Sequence, residues 1–141
     1  MKKKSKYIYY ILLFIFCLSP WPYDSAFSVN SVNWVSYDKG VTLGKIENKK
    51  ILLHFYADWC RYCRKMAKET FLDPTVVSYL NENFILIRVN TDREPKIAAM
   101  YKVTGIPSTW LLKENGEKIG IFPGFISPDR LLSVLKKNVT L

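Results

Sequence analysis

Residues 51–63 have the sequence ILLHFYADWCRYC and decide the fold. The first seven of them, residues 51–57, form a continuous apolar run, which is expected of a central strand covered on both faces. A helical pattern begins after Trp59. Its apolar stripe consists of Cys63, Met66, Ala67 and Phe71. The sequence therefore predicts a buried strand that leads into a helix, with two cysteines at the junction.

Strands and helices alternate along the rest of the chain. A helix is predicted over residues 74–83, because Asp73 is a good N-cap and Pro74 suits a first helical turn. Residues 84–90 form a second strand, which can run parallel to the first because the helices between them supply the crossover. The remaining predicted elements are a helix from Pro95 that Gly105 ends, strands at residues 108–113 and 118–122, and a last helix that begins at Ser127-Pro128.

Two further features complete the domain predicted over residues 29–141. Asn115-Gly116, between the last two strands, is a strong hairpin signal. Upstream of the first strand, a lead-in at residues 29–37 is anchored by Trp34 and precedes a weak helix, residues 38–48, that two glycines interrupt. The predicted fold class is α/β, with a four- or five-stranded mixed sheet and helices on both faces.

The first 28 residues are predicted to be an export signal. Four lysines precede an apolar stretch at residues 7–18, and Ala26-Phe27-Ser28 offers small residues where a signal peptidase cleaves. The stretch is short for a membrane span, which needs about 20 apolar residues. Phe16 argues against lipid modification of Cys17, because such sites have a small residue before the cysteine. We expect a periplasmic or other extracytoplasmic protein, and an uncleaved anchor at residues 7–18 is the alternative.

Composition and charge exclude several classes of protein. The chain has 141 residues, which allows one domain, and its hydrophobic fraction of 49% is typical of a globular protein. The net charge is +9, and without residues 1–28 it is +6, from 17 basic and 11 acidic residues. These charges are spread along the chain, so no nucleic-acid partner is predicted. Three cysteines are too few for a zinc finger or a disulfide-rich scaffold.

The cysteine pair is the predicted chemical centre. Cys60 lies in the first turn of the helix, where free N–H groups, the helix dipole and the neighbouring Arg61 should lower the pKa of its thiol. Cys63 lies one turn further and is expected to be more buried, so it can resolve a mixed disulfide that Cys60 forms. Metal binding is a weaker alternative, because His54 is the only histidine available as a further ligand. An inert structural disulfide is the other alternative.

The segment Ala57–Lys65 resembles the active site of the thioredoxin superfamily. It is most similar to exported thioredoxin-like proteins and to the C-terminal periplasmic domain of transmembrane disulfide-interchange reductases. Gly105-Ile106-Pro107-Ser108 matches the glycine, apolar residue, cis-proline and hydroxyl residue of that family, and Gly124 matches a glycine of its last loop. The resemblance implies a cis Ile106–Pro107 bond beside the cysteines, with Trp59, Ile106 and Pro107 in the substrate site.

Two departures from the family pattern affect the predicted mechanism. His54 stands where the family has a buried aspartate, and Arg88 stands where it has a lysine. We predict that His54 is neutral and accepts a proton in the resolving step, and a hydrogen-bonded core histidine is the alternative. The second departure is Arg61-Tyr62 between the cysteines, and these two residues are predicted to change the reduction potential of the cysteine pair. Its positive charge favours the reduced form and hence oxidising behaviour.

The resemblance as a whole implies an exported thiol–disulfide oxidoreductase that acts as a reductase. Its implied substrates are protein disulfides, and its implied electron source is a membrane donor. No dissociable cofactor and no metal are expected, and the protein is expected to be a monomer. A disulfide oxidase or isomerase is the alternative within the same class. A thioredoxin-fold module that binds clients without turnover is the alternative from a different class.

Overall fold

The computed structural model describes residues 31–139, in which five strands form one sheet. In chain order the strands are β1 (Trp34–Val35), β2 (Ile51–Tyr56), β3 (Ile85–Asn90), β4 (Ser108–Leu112) and β5 (Lys118–Pro123). Their order across the sheet is β1-β3-β2-β4-β5. The central strand β2 is parallel to β3 and antiparallel to β4, so the predicted mixed sheet is confirmed with five strands.

Helices connect most of these strands. In the described part of the chain they are α1 (Tyr37–Glu47), α2 (Arg61–Glu69), α3 (Pro74–Asn83), α4 (Pro95–Met100) and α5 (Pro128–Val139). None of the helices within residues 31–139 is long and apolar enough to span a bilayer. The predicted export signal, residues 1–28, lies outside the described residues.

The sheet is covered by helices on both faces, as predicted, and β2 contributes to both cores. Leu52 packs into a core formed with α2, α3 and α5, whereas Ile51, Leu53 and Phe55 pack into a core formed with α1 and α4. Alternate side chains of a strand point to opposite faces. His54, between Leu53 and Phe55, therefore lies on the same face as Leu52, beneath α2.

The first helix differs from the sequence prediction, because its two glycines do not interrupt it. α1 is continuous from Tyr37 to Glu47, and Gly40 and Gly44 are both buried. A Cβ atom on Gly40 would overlap the side chain of Ile87, and one on Gly44 would lie 2.8 Å from Ile51 Cδ1. The two glycines are one turn apart on one face, so they allow the helix axis to approach the sheet closely.

The helix α4 also differs from the prediction, since it ends five residues before Gly105. Lys102 adopts the left-handed conformation, with φ 53°. The Lys102 N–H donates to Ala99 O at 2.9 Å and the Val103 N–H donates to Ala98 O at 3.0 Å. This pair of bonds is a Schellman cap, which commonly uses glycine at the left-handed position. A lysine takes that position here, and the prediction therefore missed the helix end.

The close approach of α1 to the sheet predicts the effect of a substitution at Gly40. Gly40→Ala should destabilise the fold by about 1–2 kcal/mol, because overpacking against Ile87 outweighs the gain in helix propensity. The melting temperature should then fall by roughly 5–10 °C in a thermal unfolding experiment. Lys45→Ala, at an exposed position of the same helix, should change stability by no more than about 0.5 kcal/mol. A Gly40→Ala protein that melts at or above the wild-type temperature would contradict this packing account.

Candidate active site

The cysteine pair lies where the central strand leads into α2. Cys60 is the N-cap of α2, and its Sγ accepts a hydrogen bond from the Cys63 backbone N–H at 3.1 Å. The two cysteines form a disulfide bond across the first turn of the helix. When the pair is reduced, the Cys63 N–H and the dipole of α2 favour negative charge on Cys60 Sγ.

The burial of the two cysteines differs from the sequence expectation. Cys60 is 5% exposed and Cys63 is 2% exposed, so the predicted contrast between an exposed and a buried thiol is small. In the disulfide each sulfur covers part of the other, and Tyr56 and Ile106 pack against the cluster formed by Ala57 and the two cysteines. Substrate access to Cys60 therefore depends on its narrow exposed edge, and Cys63 is the more enclosed of the two.

The loop before β4 forms the neighbouring wall of the site. Ile106 packs against the cysteine cluster, and the Ile106–Pro107 peptide bond is cis. The Pro107 carbonyl accepts a hydrogen bond from the Gly124 N–H at 2.8 Å, which ties this loop to the segment after β5. Gly124 has φ 77°, a conformation that favours glycine. The structure thus brings Ile106 of the predicted substrate site against the cysteine cluster, and Pro107 is the next residue of the same loop.

Trp59 is the third residue of the predicted substrate site, and it is 68% exposed. Its indole Nε1–H donates to Asp92 Oδ2 at 2.9 Å. An ion pair between Asp58 and Arg93, with 2.8 Å between the carboxylate oxygen and the guanidinium nitrogen, joins the same two loops. These contacts hold Trp59 in place beside the cysteines, while most of its surface stays open to a partner. Tyr62 is also exposed, at 61%.

His54 is buried on the α2 face of the sheet, within an aromatic cluster. Its exposed fraction is 1%, and its Nδ1 shares a hydrogen bond with Thr109 Oγ1 at 3.0 Å. The Phe71 ring meets the imidazole edge to face, with 4.9 Å between the ring centroids. The Tyr56 ring lies parallel to the imidazole at 6.4 Å. Since Tyr56 packs against the cysteine cluster, this aromatic ring connects His54 to the site.

Arg88 lies beside His54, as expected from the sequence. The two residues are register partners on β3 and β2. The guanidinium stands over the Tyr56 ring, 3.7 Å from its centroid, and the buried Arg88 Nε has no hydrogen-bond partner within residues 31–139. The cation–π contact with the Tyr56 ring is therefore the main local interaction that stabilises the Arg88 charge.

Burial and the Arg88 charge determine the protonation state of His54. Burial, followed by the repulsion from Arg88, lowers the pKa of His54 from 6.5 to about 3. The ring is therefore neutral at physiological pH, in agreement with the direction expected from the sequence. It is also a weak base, because a low pKa means that the protonated form is disfavoured in the fold.

Three residues that contribute to the site were not predicted from the sequence. Tyr56 contacts the Arg88 guanidinium and packs against the cluster of Ala57, Cys60 and Cys63, and the alternation of Leu52, His54 and Tyr56 along β2 could have indicated its face. Thr109 lies opposite His54 on β4, and Asp92 holds Trp59. No local signal identifies these two, because their partners are distant in the sequence. The part of the chain from residue 31 to residue 139 contains no group of three His, Cys, Asp or Glu side chains arranged to hold a metal ion.

Comparison with known sequences identifies similar proteins. The model of a family described as a thioredoxin-like domain matches residues 38–138. The thiol:disulfide interchange protein DsbD of Photorhabdus laumondii is 30% identical over 90 residues, which cover 62% of this chain and 15% of that protein. A thioredoxin of Griffithsia pacifica is 33% identical over 89 residues, which cover 63% of this chain and 78% of that protein. The chain thus spans about a sixth of the first of these relatives.

Comparison with solved structures supports the fold. A thioredoxin from Thermus thermophilus superposes with a TM-score of 0.69 at 24% identity, covering 77% of this chain and 87% of that one. A structure described as DsbH oxidoreductase gives the same TM-score at 20% identity, covering 87% of this chain and 96% of that one. At these identities the likeness establishes the fold alone, and it agrees with the mixed five-stranded sheet described above.

Proposed function

The chain belongs to the thioredoxin-like family of thiol–disulfide oxidoreductases, and from this membership we propose that it is an exported reductase of disulfides in extracytoplasmic proteins. The observation that carries the proposal is the redox-active pair itself, a Cys60–Cys63 disulfide at the start of α2 beside the Ile106–Pro107 loop. The relatives named for thiol–disulfide interchange support exchange with disulfides as the class of reaction. The predicted signal at residues 1–28 supports export.

The proposed reaction has two exchange steps. In the first, the Cys60 thiolate attacks one sulfur of a substrate disulfide, a mixed disulfide forms, and the other substrate sulfur leaves as a thiolate. In the second, the Cys63 thiolate attacks Cys60 Sγ, and the second substrate sulfur leaves. Two electrons pass to the substrate, and the protein ends as the disulfide. A dithiol reductant, which we propose is a membrane donor, then returns the pair to the reduced state.

Three residues are proposed to bind the substrate next to Cys60. Trp59 offers an exposed ring and lines one cavity together with Ile106, which packs against the cysteine cluster and precedes Pro107. Asp92 is a positioning residue in this account, because its carboxylate fixes the Trp59 indole. Asp92→Asn should keep a hydrogen-bond acceptor for the indole, whereas Asp92→Leu should raise KM for a protein disulfide several-fold. Dithiothreitol-coupled turnover measures both, and an unchanged KM in Asp92→Leu would contradict the positioning role.

The role of His54 as general base in the resolving step stays a prediction. Its neutral state is compatible with that role, because burial and Arg88 keep the proton off the ring. Two observations support the alternative of a structural histidine: the hydrogen bond of Nδ1 with Thr109, and a pKa of about 3, which makes the ring a weak proton acceptor. We therefore expect the contribution of His54 to be mainly to the stability of the fold.

A specific observation keeps the oxidase alternative open to test. Arg61 follows Cys60 directly, and the Arg88 guanidinium lies over the Tyr56 ring, so two positive charges lie near the cysteine cluster. Such charge favours the thiolate and makes the couple more oxidising. Equilibration of the protein with glutathione buffers separates the two directions. A reduction potential near that of thioredoxin, about −270 mV, supports the reductase, and one near −120 mV supports an oxidase.

An insulin-reduction assay tests turnover itself. With dithiothreitol as electron source, the wild-type protein should accelerate the precipitation of insulin chains at catalytic concentration. A Cys60→Ser/Cys63→Ser protein should give only the rate of dithiothreitol alone. If wild type and double variant are equally inactive and both still retain insulin, the protein is a binding module rather than an oxidoreductase.

A further inference from the structure

We propose that the substrate segment recognised by this protein is acidic, with Asp or Glu on either side of its cysteine. This inference rests on the proposed thiol–disulfide exchange and specifies the class of substrate. The site recognises such a segment through two groups of cations, one along a groove and one on α2, with aromatic side chains between them.

The groove starts at Trp59 and extends away from the cysteines. A cavity of about 340 Å³ lies between Trp59 and residues 103–106. A second cavity, of about 490 Å³, shares residues 103–106 with the first and continues to Lys102 and Lys118. The two cavities therefore form one path over the loop that precedes β4. An extended peptide whose cysteine is at Cys60 could follow this path.

The residues that line the groove carry positive charge. Lys102 and Lys118 are both exposed, and the Lys118 ammonium lies 5.6 Å from the centroid of the Trp110 ring. A third cavity, which shares Ile121 and Pro123 with the second, is lined by Arg130. Among the described residues that line these three cavities there is no Asp or Glu.

The exposed face of α2 adds a second group of cations beside Cys60. Arg61, Arg64 and Lys68 are exposed, and none of them has an ion-pair partner within the described residues. Arg64 donates only to the Asp58 backbone carbonyl, at 2.9 Å. Arg61 and Arg64 thus lie next to Cys60, whereas Lys102 and Lys118 lie further along the groove, with Lys118 opposite Leu112 at the distant end of β4.

Two carboxylates near the cysteines are engaged in ion pairs: Asp58 pairs with Arg93, and Glu69 lies 3.9 Å from the Lys65 ammonium. Asp92 accepts the Trp59 indole N–H, a hydrogen bond that leaves its negative charge in place. None of these three carboxylates forms an ion pair with Arg61, Arg64 or Lys68, so the α2 cations are available to an acidic substrate. Complementary charge at such a site raises association rates by about 10–10³, and the effect falls with ionic strength.

Disulfide peptides of one length test the proposal. Three probes carry the same intermolecular disulfide, flanked by Asp and Glu, by Asn and Gln, or by Lys. The measured quantity is the second-order rate constant of reduction by the reduced full-length protein at low and high salt. Each rate constant is divided by that for 2-mercaptoethanol, whose only charge is that of its attacking thiolate, because flanking charge changes the rate at which any thiolate attacks a disulfide.

The normalised rate constant for the acidic peptide should exceed that for the lysine peptide at least tenfold at low salt. At high salt the ratio should approach one. The Lys102→Gln/Lys118→Gln protein should lose several-fold in rate with the acidic peptide and should keep its rate with the neutral peptide. The matched control is Lys45→Gln/Lys137→Gln, which removes the same charge at exposed positions far from the cysteines and should leave all rates unchanged.

The outcomes separate this inference from the proposed function. A wild-type protein that reduces the neutral peptide but does not prefer the acidic one overturns the inference and leaves the function intact. Equal losses in the groove variant and its control also overturn it, because net charge alone would then account for the effect. A protein that reduces none of the peptides, although dithiothreitol reduces all of them, overturns the function itself.

Discussion

Replacement of Cys63 by alanine is expected to convert the protein from a catalyst into a trap for its substrates. Cys60 is the N-cap of α2 and has the larger exposed fraction, so it can still attack a disulfide. Without the neighbouring Cys63 thiol, the mixed disulfide must wait for a thiol from solution. Because intramolecular attack has a high effective concentration, turnover should fall by roughly a hundredfold or more.

Mass spectrometry of the trapped species measures this result. Cys63→Ala should accumulate a covalent adduct of one protein and one substrate chain, joined at Cys60. Cys60→Ala should be inactive and should form little adduct, since its remaining thiol is the more enclosed one. If Cys60→Ala forms the adduct and Cys63→Ala does not, the two roles are reversed.

The second large effect is a loss of stability in mild acid that depends on His54. The pKa of His54 is lowered from 6.5 to about 3 in the fold, because the ring is buried beside Arg88. Below pH 6.5 the unfolded chain binds a proton that the folded protein refuses, so stability falls as the pH falls from 6.5 towards 3. Between pH 7 and pH 5 the loss should be about 2 kcal/mol from this residue.

Denaturant unfolding at several pH values checks the prediction. His54 is the only histidine of the chain, so a variant without it isolates the effect. His54→Gln keeps an amide that can bond Thr109, and its stability should change about 2 kcal/mol less between pH 7 and pH 5 than that of the wild type. If wild type and variant show the same pH dependence, His54 is not held neutral by burial.

The same variant separates the two interpretations of His54 in catalysis. If the histidine is structural, His54→Gln should lower stability and leave the rate of the resolving step unchanged in a single-turnover experiment. A resolving step that slows at least tenfold and changes its pH profile would support the general base instead. Alkylation of Cys60 should be nearly the same in both proteins, because that thiol reacts before the resolving step.

Local sequence signals were sufficient for most of the fold. The apolar run of β2, the Asp73 cap of α3 and the Asn-Gly turn each depend on interactions within a few residues, and the structure has all three. Asp73 accepts hydrogen bonds from the Thr75 and Val76 N–H groups at 3.0 Å, as an N-cap should. Patterns of this kind are readable because their physical cause is local.

The errors lie where contacts between distant segments decide the structure. Gly40 and Gly44 are poor helix formers, yet α1 is continuous through both of them. Helix α1 lies so close to Ile51 and Ile87 of the sheet that no Cβ atom fits at either position. The end of α4 uses a left-handed lysine, and no residue type signals that conformation. In the site, the cysteines, His54 and Arg88 were found from the sequence, whereas Asp92 and Thr109 were not, since they act on residues 33 and 55 positions away.

The most direct test of the central claim is a count of thiols in a stoichiometric reaction. Reduced protein is mixed with an equimolar disulfide substrate, quenched with an alkylating agent, and analysed by mass spectrometry with peptide mapping. We predict that Cys60 and Cys63 lose their two thiols together while the substrate gains two. Unchanged thiols in the protein, under conditions in which dithiothreitol reduces the same substrate, would contradict the account.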